Sequence, residues 1–210
     1  MTRVLLVDDH EVLREGVKRI FDQSGRPVTF GDAPTAAEAV RLAAEQDWDL
    51  VILDVSLQGR SGLDVLKELK QLRPRTPILM LSMHSEAQYA RRAFQSGVAG
   101  YITKDSSRSE LARAIQVVLQ GHKYVSPQLA DALVSHLEKE TSGAPHELLS
   151  VREFEVLRLI ASGKTVSETA AMLGVSDKTI STYRARILDK MGLRTNAELI
   201  RYAFANGLIE

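Results

Sequence analysis

The chain has 210 residues, of which 26% are charged and 44% hydrophobic, and its formal net charge is zero. This composition excludes disordered and collagen-like chains, and the absence of cysteine excludes disulfides, thiol catalysis and cysteine metal sites. No apolar stretch approaches the ~18 residues of a membrane span, and the start MTRVLLVDD turns acidic too early for a signal peptide, so we expect a cytoplasmic protein that does not bind membranes.

Short apolar runs alternate with helical patterns from residue 3 to about 120. Five strands alternating with five helices imply parallel βα units, and apolar runs without polar alternation are typical of strands covered on both faces. We therefore predict a five-stranded, parallel, doubly wound sheet in a domain spanning residues 1–122. The runs are VLLV, VTFGD, LVILD, ILMLS and GYIT, and the helices follow them at 11–23, 35–45, 62–72, 86–96 and 107–120.

A linker is predicted from 123 to 147. It includes a helix at about 127–139, which begins with Pro127 in the favoured first-turn position. The segment ETSGAPHE after that helix is the most linker-like stretch of the chain, and the domain boundary is placed there.

The remaining residues, 148–210, show helical patterns only. Capping boxes are predicted at Ser150 and Thr165, and Ser176 can cap a third helix. The spacing predicts an all-α domain of four short helices. These are expected at 151–162, 166–173, 177–191 and 196–206.

Five functional groups stand at the ends of four predicted strands. Asp8 and Asp9 follow VLLV, Asp54 ends LVILD, Ser82 ends ILMLS and Lys104 follows GYIT. Because open α/β sheets bind ligands at the carboxyl edge of their strands, these residues are expected in one pocket. Taken one at a time they have plain alternatives as helix caps, loop caps or surface groups. Together they favour a single site.

The chemistry expected of that pocket is transfer of a phosphoryl group to a carboxylate. Three neighbouring carboxylates repel one another unless a cation shares the site, and Mg²⁺ prefers oxygen ligands. Asp54 can then attack phosphorus while Lys104 and the Ser82 hydroxyl hold the remaining oxygens.

The segments RVLLVDDHEVLREGV, LVILDVSLQGRSGLDVL, ILMLSMHSE and GVAGYITKDSSRSEL resemble the receiver domain of bacterial two-component response regulators, which has a flavodoxin-like fold. The resemblance covers about residues 3–120. It implies that Asp54 is the phosphoacceptor and that Asp8, Asp9, Asp54 and the backbone carbonyl of Ser56 bind Mg²⁺.

The same resemblance implies that Lys104 contacts the phosphoryl group and that Ser82 and Tyr101 form a switch pair. An aromatic in a short strand also has an ordinary explanation as a core residue. Two loops depart from the family pattern. Leu57-Gln58 stands where Met-Pro is common, and Lys104 precedes Asp105 instead of proline. We expect differently shaped loops with the reactive groups retained.

The predicted helix 177–191 has a core stripe and an opposite face that is small, polar and basic. The stripe contains Ile180, Tyr183, Ile187 and Met191. Between 176 and 194 there are five basic and two acidic residues, so positive charge is concentrated here. Taken alone, such a face also suits a solvated bundle helix.

The stretch from SVREFEV to ELIRYA, roughly 148–208, resembles the LuxR-type helix-turn-helix along its whole length. The resemblance implies that 166–173 is the positioning helix and that 177–191 is the recognition helix in the major groove. Tyr183 and Thr169 stand where histidine and an aliphatic residue are common. The residues expected on DNA are Ser181, Thr182 and Ala185 at base-reading positions, Lys178, Arg186 and Lys190 at phosphates, and Thr179.

The last predicted helix carries Leu199, Tyr202, Ala203 and Phe204 among polar residues. Some of them must pack on the bundle. By family resemblance, others can form a dimer contact.

These features indicate a two-component response regulator of the NarL/FixJ type. We expect a sensor histidine kinase to phosphorylate Asp54, after which the chain binds promoter DNA as a homodimer and regulates transcription, with RNA polymerase as a further candidate partner. We expect no enzyme beyond Mg²⁺-dependent autophosphorylation from small phosphodonors and autodephosphorylation.

Two alternatives remain open. In the first, a DNA-binding regulator uses a receiver that is never phosphorylated as a dimerisation platform. The second is a haloacid-dehalogenase-like phosphotransferase or phosphatase, which requires a second acid where this chain has Ser56.

Overall fold

The chain forms two compact units in the computed structural model, Met1–Lys139 and Glu140–Glu210. The structure describes residues 1–22, 27–57, 60–83, 87–127, 129–131, 133–134 and 144–209. Residues 127, 129–131 and 133–134 are helical, within the predicted linker helix. The predicted end of that helix at 135–139, the ETSG segment after it and Gln58 lie outside the described residues.

The first unit is a parallel sheet with helices between its strands. The strands are β1 Thr2–Val7, β2 Val28–Ala33, β3 Leu50–Asp54, β4 Ser56–Leu57, β5 Arg60–Ser61, β6 Ile78–Ser82, β7 Gly100–Thr103 and β8 Tyr124–Val125. The helices are α1 Glu11–Asp22, α2 Ala36–Glu45, α3 Gly62–Leu72, α4 Ala87–Gln95 and α5 Arg108–Leu119.

The main sheet has the strand order β2-β1-β3-β6-β7-β8, and every neighbouring pair in it is parallel. The five predicted strands are confirmed in the flavodoxin-like order. The predicted number is wrong by one, because β8 adds a sixth strand of two residues, too short to give an apolar run. The strand order reverses between β1 and β3, which places a ligand crevice at their carboxyl ends.

The central strands are covered on both faces, as their continuous apolar runs predict. Every residue of β3 and of β6 is buried. On one side the core includes Val17 and Phe21 of α1 and Ile115 and Val118 of α5. This packing fixes the carboxyl edge of the sheet, where the functional groups lie.

The second unit is helical. It begins with a 3-10 helix, Pro145–Leu148, and continues with α6 Val151–Ala161, α7 Val166–Leu173, α8 Asp177–Met191 and α9 Asn196–Ala205. Both predicted capping boxes are present, and α7 and α8 end in left-handed Gly174 and Gly192. In the part of the chain that the structure describes, no helix is both long and apolar enough to cross a membrane.

Candidate functional site

The two central carboxylates lie at the point where the strand order reverses. Asp8 directly follows β1 and Asp54 is the last residue of β3, and the register pairs Val7 with Leu53. Both side chains are almost completely buried, with relative exposures of 3% for Asp8 and 1% for Asp54. The predicted convergence of these two residues is therefore present.

Lys104 joins these carboxylates from the other side of the sheet edge. Its Nζ donates to Asp8 Oδ2 at 2.9 Å and to Asp54 Oδ2 at 2.7 Å. Its backbone N–H donates to the Ser82 carbonyl, which continues the β6–β7 pairing and holds the lysine at the edge. Burial alone would lower the pKa of Lys104, but the contacts with Asp54 and Asp8 outweigh it and raise that pKa.

Asp54 is strongly affected by its surroundings. Burial raises the pKa of Asp54 and the nearby charge of Asp8 adds to the effect, while the hydrogen bonds from Lys104 and from the Ser56 N–H oppose it. The Ser56 N–H donates to Asp54 Oδ1 at 3.1 Å. The Asp54 carboxylate is therefore held at both oxygens, at Oδ1 by Ser56 and at Oδ2 by Lys104. The start of α3 packs closely against the Asp54 backbone, because a Cβ added to Gly62 would overlap the Asp54 carbonyl oxygen.

Asp9 and His10 complete an oxygen-rich cluster with Asp8 and Asp54. Ligand atoms of these four residues all lie within 4.8 Å of one another. Asp9 Oδ1 is buried and has no hydrogen-bond partner among the described residues, although it lies 2.9 Å from His10 Nδ1. A buried carboxylate oxygen without a hydrogen bond is available to a further ligand such as a water or an ion. The donor set fits the Mg²⁺ that the sequence predicts.

His10 is the member of the cluster that the sequence analysis missed. Its backbone N–H donates to Asp8 Oδ1 at 2.7 Å, and its Nδ1 lies 3.1 Å from the same oxygen. Its side chain is 68% exposed. The position directly after Asp8-Asp9 was the available signal, but histidine has no oxygen ligand to offer.

The remaining predicted pocket residues lie on the strands expected for them. Ser82 ends β6 and Tyr101 lies in β7, and both are completely buried. Ser82 is one residue beyond Leu81, which pairs with Asp54. Ser56 opens β4, a two-residue strand paired antiparallel with β5. The switch role of Ser82 and Tyr101 and the metal role of the Ser56 carbonyl stay predictions.

The predicted recognition helix, α8, has the two faces that the sequence indicates. Ile180, Ile187 and Met191 are buried against the bundle, and Tyr183 is half-buried. The predicted DNA-facing side is open: a shallow depression of about 290 Å³ is lined in part by Lys178, Thr182 and Arg186. Exposed residues of this face are Lys178, Ser181, Thr182, Ala185 and Arg186, whereas Thr179 is half-buried.

Lys190 differs from Lys178 and Arg186, the other two residues predicted to contact phosphates, because it forms an ion pair within the helical unit. Its Nζ donates to Glu153 Oε2 at 2.6 Å, and the same oxygen accepts the Ser150 N–H at 2.7 Å. Burial of Glu153 would raise its pKa, but the contacts with Lys190 and Ser150 outweigh that and lower the pKa. The Lys190 charge is therefore engaged within the helical unit, which weakens the prediction that this residue binds DNA phosphates.

Comparison with known proteins identifies both parts of the chain. A family model described as the response regulator receiver domain matches residues 4–116, and one described as bacterial regulatory proteins, luxR family, matches residues 147–203. The response regulator UvrY of Escherichia coli K12 is 32% identical over 209 residues, which cover 99% of this chain and 96% of UvrY.

Two solved structures of the response regulator RcsB are similar to this chain. RcsB from Salmonella enterica serovar Typhimurium, bound to a promoter in the presence of the phosphomimetic BeF3−, is 25% identical with a TM-score of 0.60, over 96% of this chain and 97% of that chain. A structure of two RcsB dimers bound to two parallel DNAs is 25% identical with a TM-score of 0.58, over the same shares. The chain belongs to the NarL/FixJ-type response regulators, which join a receiver domain to a LuxR-type DNA-binding domain.

Proposed function

We propose that a sensor histidine kinase phosphorylates this response regulator on Asp54, and that the protein then binds promoter DNA as a homodimer in the cytoplasm to regulate transcription. The observation that carries the proposal is the Lys104 ammonium, which bridges Asp54 and Asp8 in the same cluster as the buried Asp9 carboxylate oxygen. A buried carboxylate held by a cation and flanked by metal-binding oxygens is suited to accept a phosphoryl group.

Mg²⁺ would be held by Asp8, Asp9, Asp54 and the Ser56 carbonyl. When bound, it supplies positive charge that offsets the repulsion between the carboxylates and the incoming phosphoryl oxygens. The clustering of these carboxylates, with a buried Asp9 oxygen that makes no hydrogen bond among the described residues, supports this assignment.

The chain's own residues then act on the phosphoryl group. An Asp54 carboxylate oxygen attacks phosphorus, so that an oxygen–phosphorus bond forms while the bond from phosphorus to the kinase histidine nitrogen breaks. Lys104 already lies 2.7 Å from Asp54, and its ammonium can follow the negative charge onto the new phosphoryl oxygens. The product is an acyl phosphate. The same residues also support autophosphorylation of Asp54 from small phosphodonors. Attack of water on the phosphorus then removes the phosphoryl group and restores the Asp54 carboxylate.

Ser82 and Tyr101 would convert this charge change into a packing change. Both are fully buried on adjacent strands. A phosphoryl oxygen on Asp54 attracts the Ser82 hydroxyl, and the Tyr101 ring turns into the space that the hydroxyl leaves. The resulting change at the surface of the receiver is the signal for dimerisation.

The DNA interface would be the exposed face of α8. Small side chains at Ser181, Thr182 and Ala185 allow close approach to base edges, and Lys178 and Arg186 are placed to hold phosphates. Thr179 is half-buried beside them. RcsB bound to a promoter and RcsB dimers bound to DNA are consistent with this role.

The dimer contact would involve the last helix, α9. Leu199 and Ala203 are fully buried and pack on the bundle, whereas Phe204 is 69% exposed. An exposed aromatic on one helix is suited to a contact between two copies. We assign residues 1–122 to the receiver, 123–147 to the linker and 148–210 to the DNA-binding domain.

The deciding experiment compares the wild-type protein with Asp54→Asn and Asp105→Asn. Each protein is treated with acetyl phosphate and Mg²⁺, and intact-mass measurement counts the phosphoryl groups added before DNA affinity is determined. We expect labelling and increased DNA affinity for the wild type and for Asp105→Asn, which changes an exposed acid next to Lys104. Asp54→Asn should show neither.

Two results would contradict the proposal. Labelling of Asp54→Asn at the wild-type level would remove Asp54 from its role. An unlabelled wild-type protein with unchanged DNA affinity would favour the regulator that works without phosphorylation.

A further inference from the structure

The Asp8 backbone carbonyl has a side-chain partner. Nη1 of Arg14, one turn into α1, donates to this carbonyl at 2.6 Å. The Arg14 side chain is only 13% exposed. A guanidinium with a short hydrogen bond to one backbone oxygen restricts the orientation of that peptide.

The peptide bound by Arg14 connects the two carboxylates predicted to bind Mg²⁺. Asp8 itself is fixed at three atoms: the carbonyl by Arg14, Oδ1 by the His10 N–H and Oδ2 by Lys104. Asp9 Oδ1, in contrast, has no hydrogen-bond partner among the described residues. Because peptide groups are planar, the direction of the Asp8 carbonyl also sets the position of the Asp9 Cα, from which its side chain starts.

The other edge of the Arg14 guanidinium faces an acid, although its Nε makes no hydrogen bond among the described residues. Its Nε lies 3.4 Å from Asp32 Oδ1 at the end of β2, and Lys18 Nζ donates to Asp32 Oδ2 at 2.8 Å. The negative charge of Asp32 offsets the positive charge of Arg14, which reduces the repulsion between the guanidinium and a cation bound at the nearby carboxylates. The contacts form a chain from β2 through α1 to the β1–α1 loop.

We infer that Arg14 is a positioning residue that orients the Asp8–Asp9 peptide so that the Asp9 carboxylate points into the cation site before a cation arrives. This inference rests on the proposed Mg²⁺ site. Replacing a residue that hydrogen-bonds to metal ligands without touching the metal typically lowers metal affinity 10- to 100-fold. Arg14 differs from the ligands in that it touches neither the ion nor the phosphoryl group.

The test measures Mg²⁺ binding to the full chain by calorimetry and by ¹⁵N-resolved NMR, without any phosphodonor. We expect Arg14→Met to weaken Mg²⁺ binding about tenfold. It should also shift the Asp9 amide signal in the metal-free protein, because that nitrogen belongs to the peptide that Arg14 binds. Arg19→Met is the matched control, since it makes the same charge change at an exposed position of α1 outside this chain of contacts, and its affinity should stay near that of the wild type.

A second variant separates position from charge. Arg14→Lys keeps the positive charge but lacks the planar fork, so we expect it to bind Mg²⁺ as weakly as Arg14→Met. Wild-type affinity in either Arg14 variant, with the other signals of the fold intact, would overturn the inference and leave the proposed function standing. Absence of Mg²⁺ binding to the wild-type protein would instead overturn the metal site on which both rest.

Discussion

The ammonium of Lys190 lies 2.6 Å from the carboxylate of Glu153, and this ion pair joins the last turn of α8 to the first turn of α6. The Glu153 side chain is only 4% exposed, whereas that of Lys190 is 40% exposed. Glu153 also closes the capping box of α6 with Ser150. A single carboxylate therefore caps the start of α6 and anchors the last turn of α8.

Replacement of Lys190 by methionine should destabilise the helical unit by about 1–2 kcal/mol, because a buried carboxylate loses its cation. The effect depends on pH. Lys190 and Ser150 hold the pKa of Glu153 below its ordinary value, so this stabilisation is present above the unfolded-state pKa and is lost as pH falls through the folded-state pKa. Hydrogen exchange of the α8 amides at several pH values measures it. Lys178→Met, an exposed lysine of the same helix, should leave the exchange rates unchanged.

Arg186→Gln should weaken DNA binding on all sequences to a similar extent. Arg186 is exposed on the predicted DNA face of α8, so its loss removes a phosphate contact without disturbing the core. The slope of log affinity against log salt concentration should fall by about 1. Arg201→Gln, with the same charge change on an exposed position of α9, should keep the wild-type slope. Equal slopes for wild type and Arg186→Gln would exclude the contact.

Asp54→Asn should alter how stability depends on pH in Mg²⁺-free buffer. Burial, together with the Asp8 charge, raises the pKa of Asp54, so the folded protein binds this proton more tightly than the unfolded chain does. The Asp54 contribution to stability is present below the unfolded-state pKa and is lost as pH rises through the folded-state pKa. Relative to the wild type, the asparagine variant should therefore gain stability as pH rises from about 4 toward neutrality.

Urea unfolding of both proteins at matched pH values gives this difference directly. Asp105→Asn serves as the control, because the Asp105 carboxylate is exposed. A difference between wild type and Asp54→Asn that stays constant across the pH range would show that burial does not affect this carboxylate.

Thr169→Val should stabilise the helical unit by about 1–2 kcal/mol. Thr169 is completely buried in α7, and its hydroxyl has no hydrogen-bond partner among the described residues. Replacing an unsatisfied hydroxyl with a methyl group of similar size removes its desolvation cost. Thermal unfolding measures the change. Thr165→Val is the informative comparison, since Thr165 caps α7 and its loss should cost about 1 kcal/mol.

Local signals were sufficient to predict most of the backbone. Ser150, Thr165 and Ser176 begin their helices as predicted, and Gly174 and Gly192 end theirs. The strand β8 was missed because two residues, Tyr124 and Val125, carry no detectable pattern and need an existing sheet edge on which to pair. The antiparallel pair β4–β5 was missed as well, because each of its strands is also only two residues long.

The sequence by itself determined the parallel sheet, the helical unit and the meeting of Asp8, Asp54 and Lys104, because parallel strands all end at one edge and each of these residues stands at a strand end. Only the tertiary structure decided which long side chains bridge separate elements. The contacts of Arg14 with the Asp8 carbonyl and of Lys190 with Glu153 depend on distances between packed helices and loops. Periodicity encodes which face of an element is buried, but it contains no information on how far a flexible side chain reaches from that face.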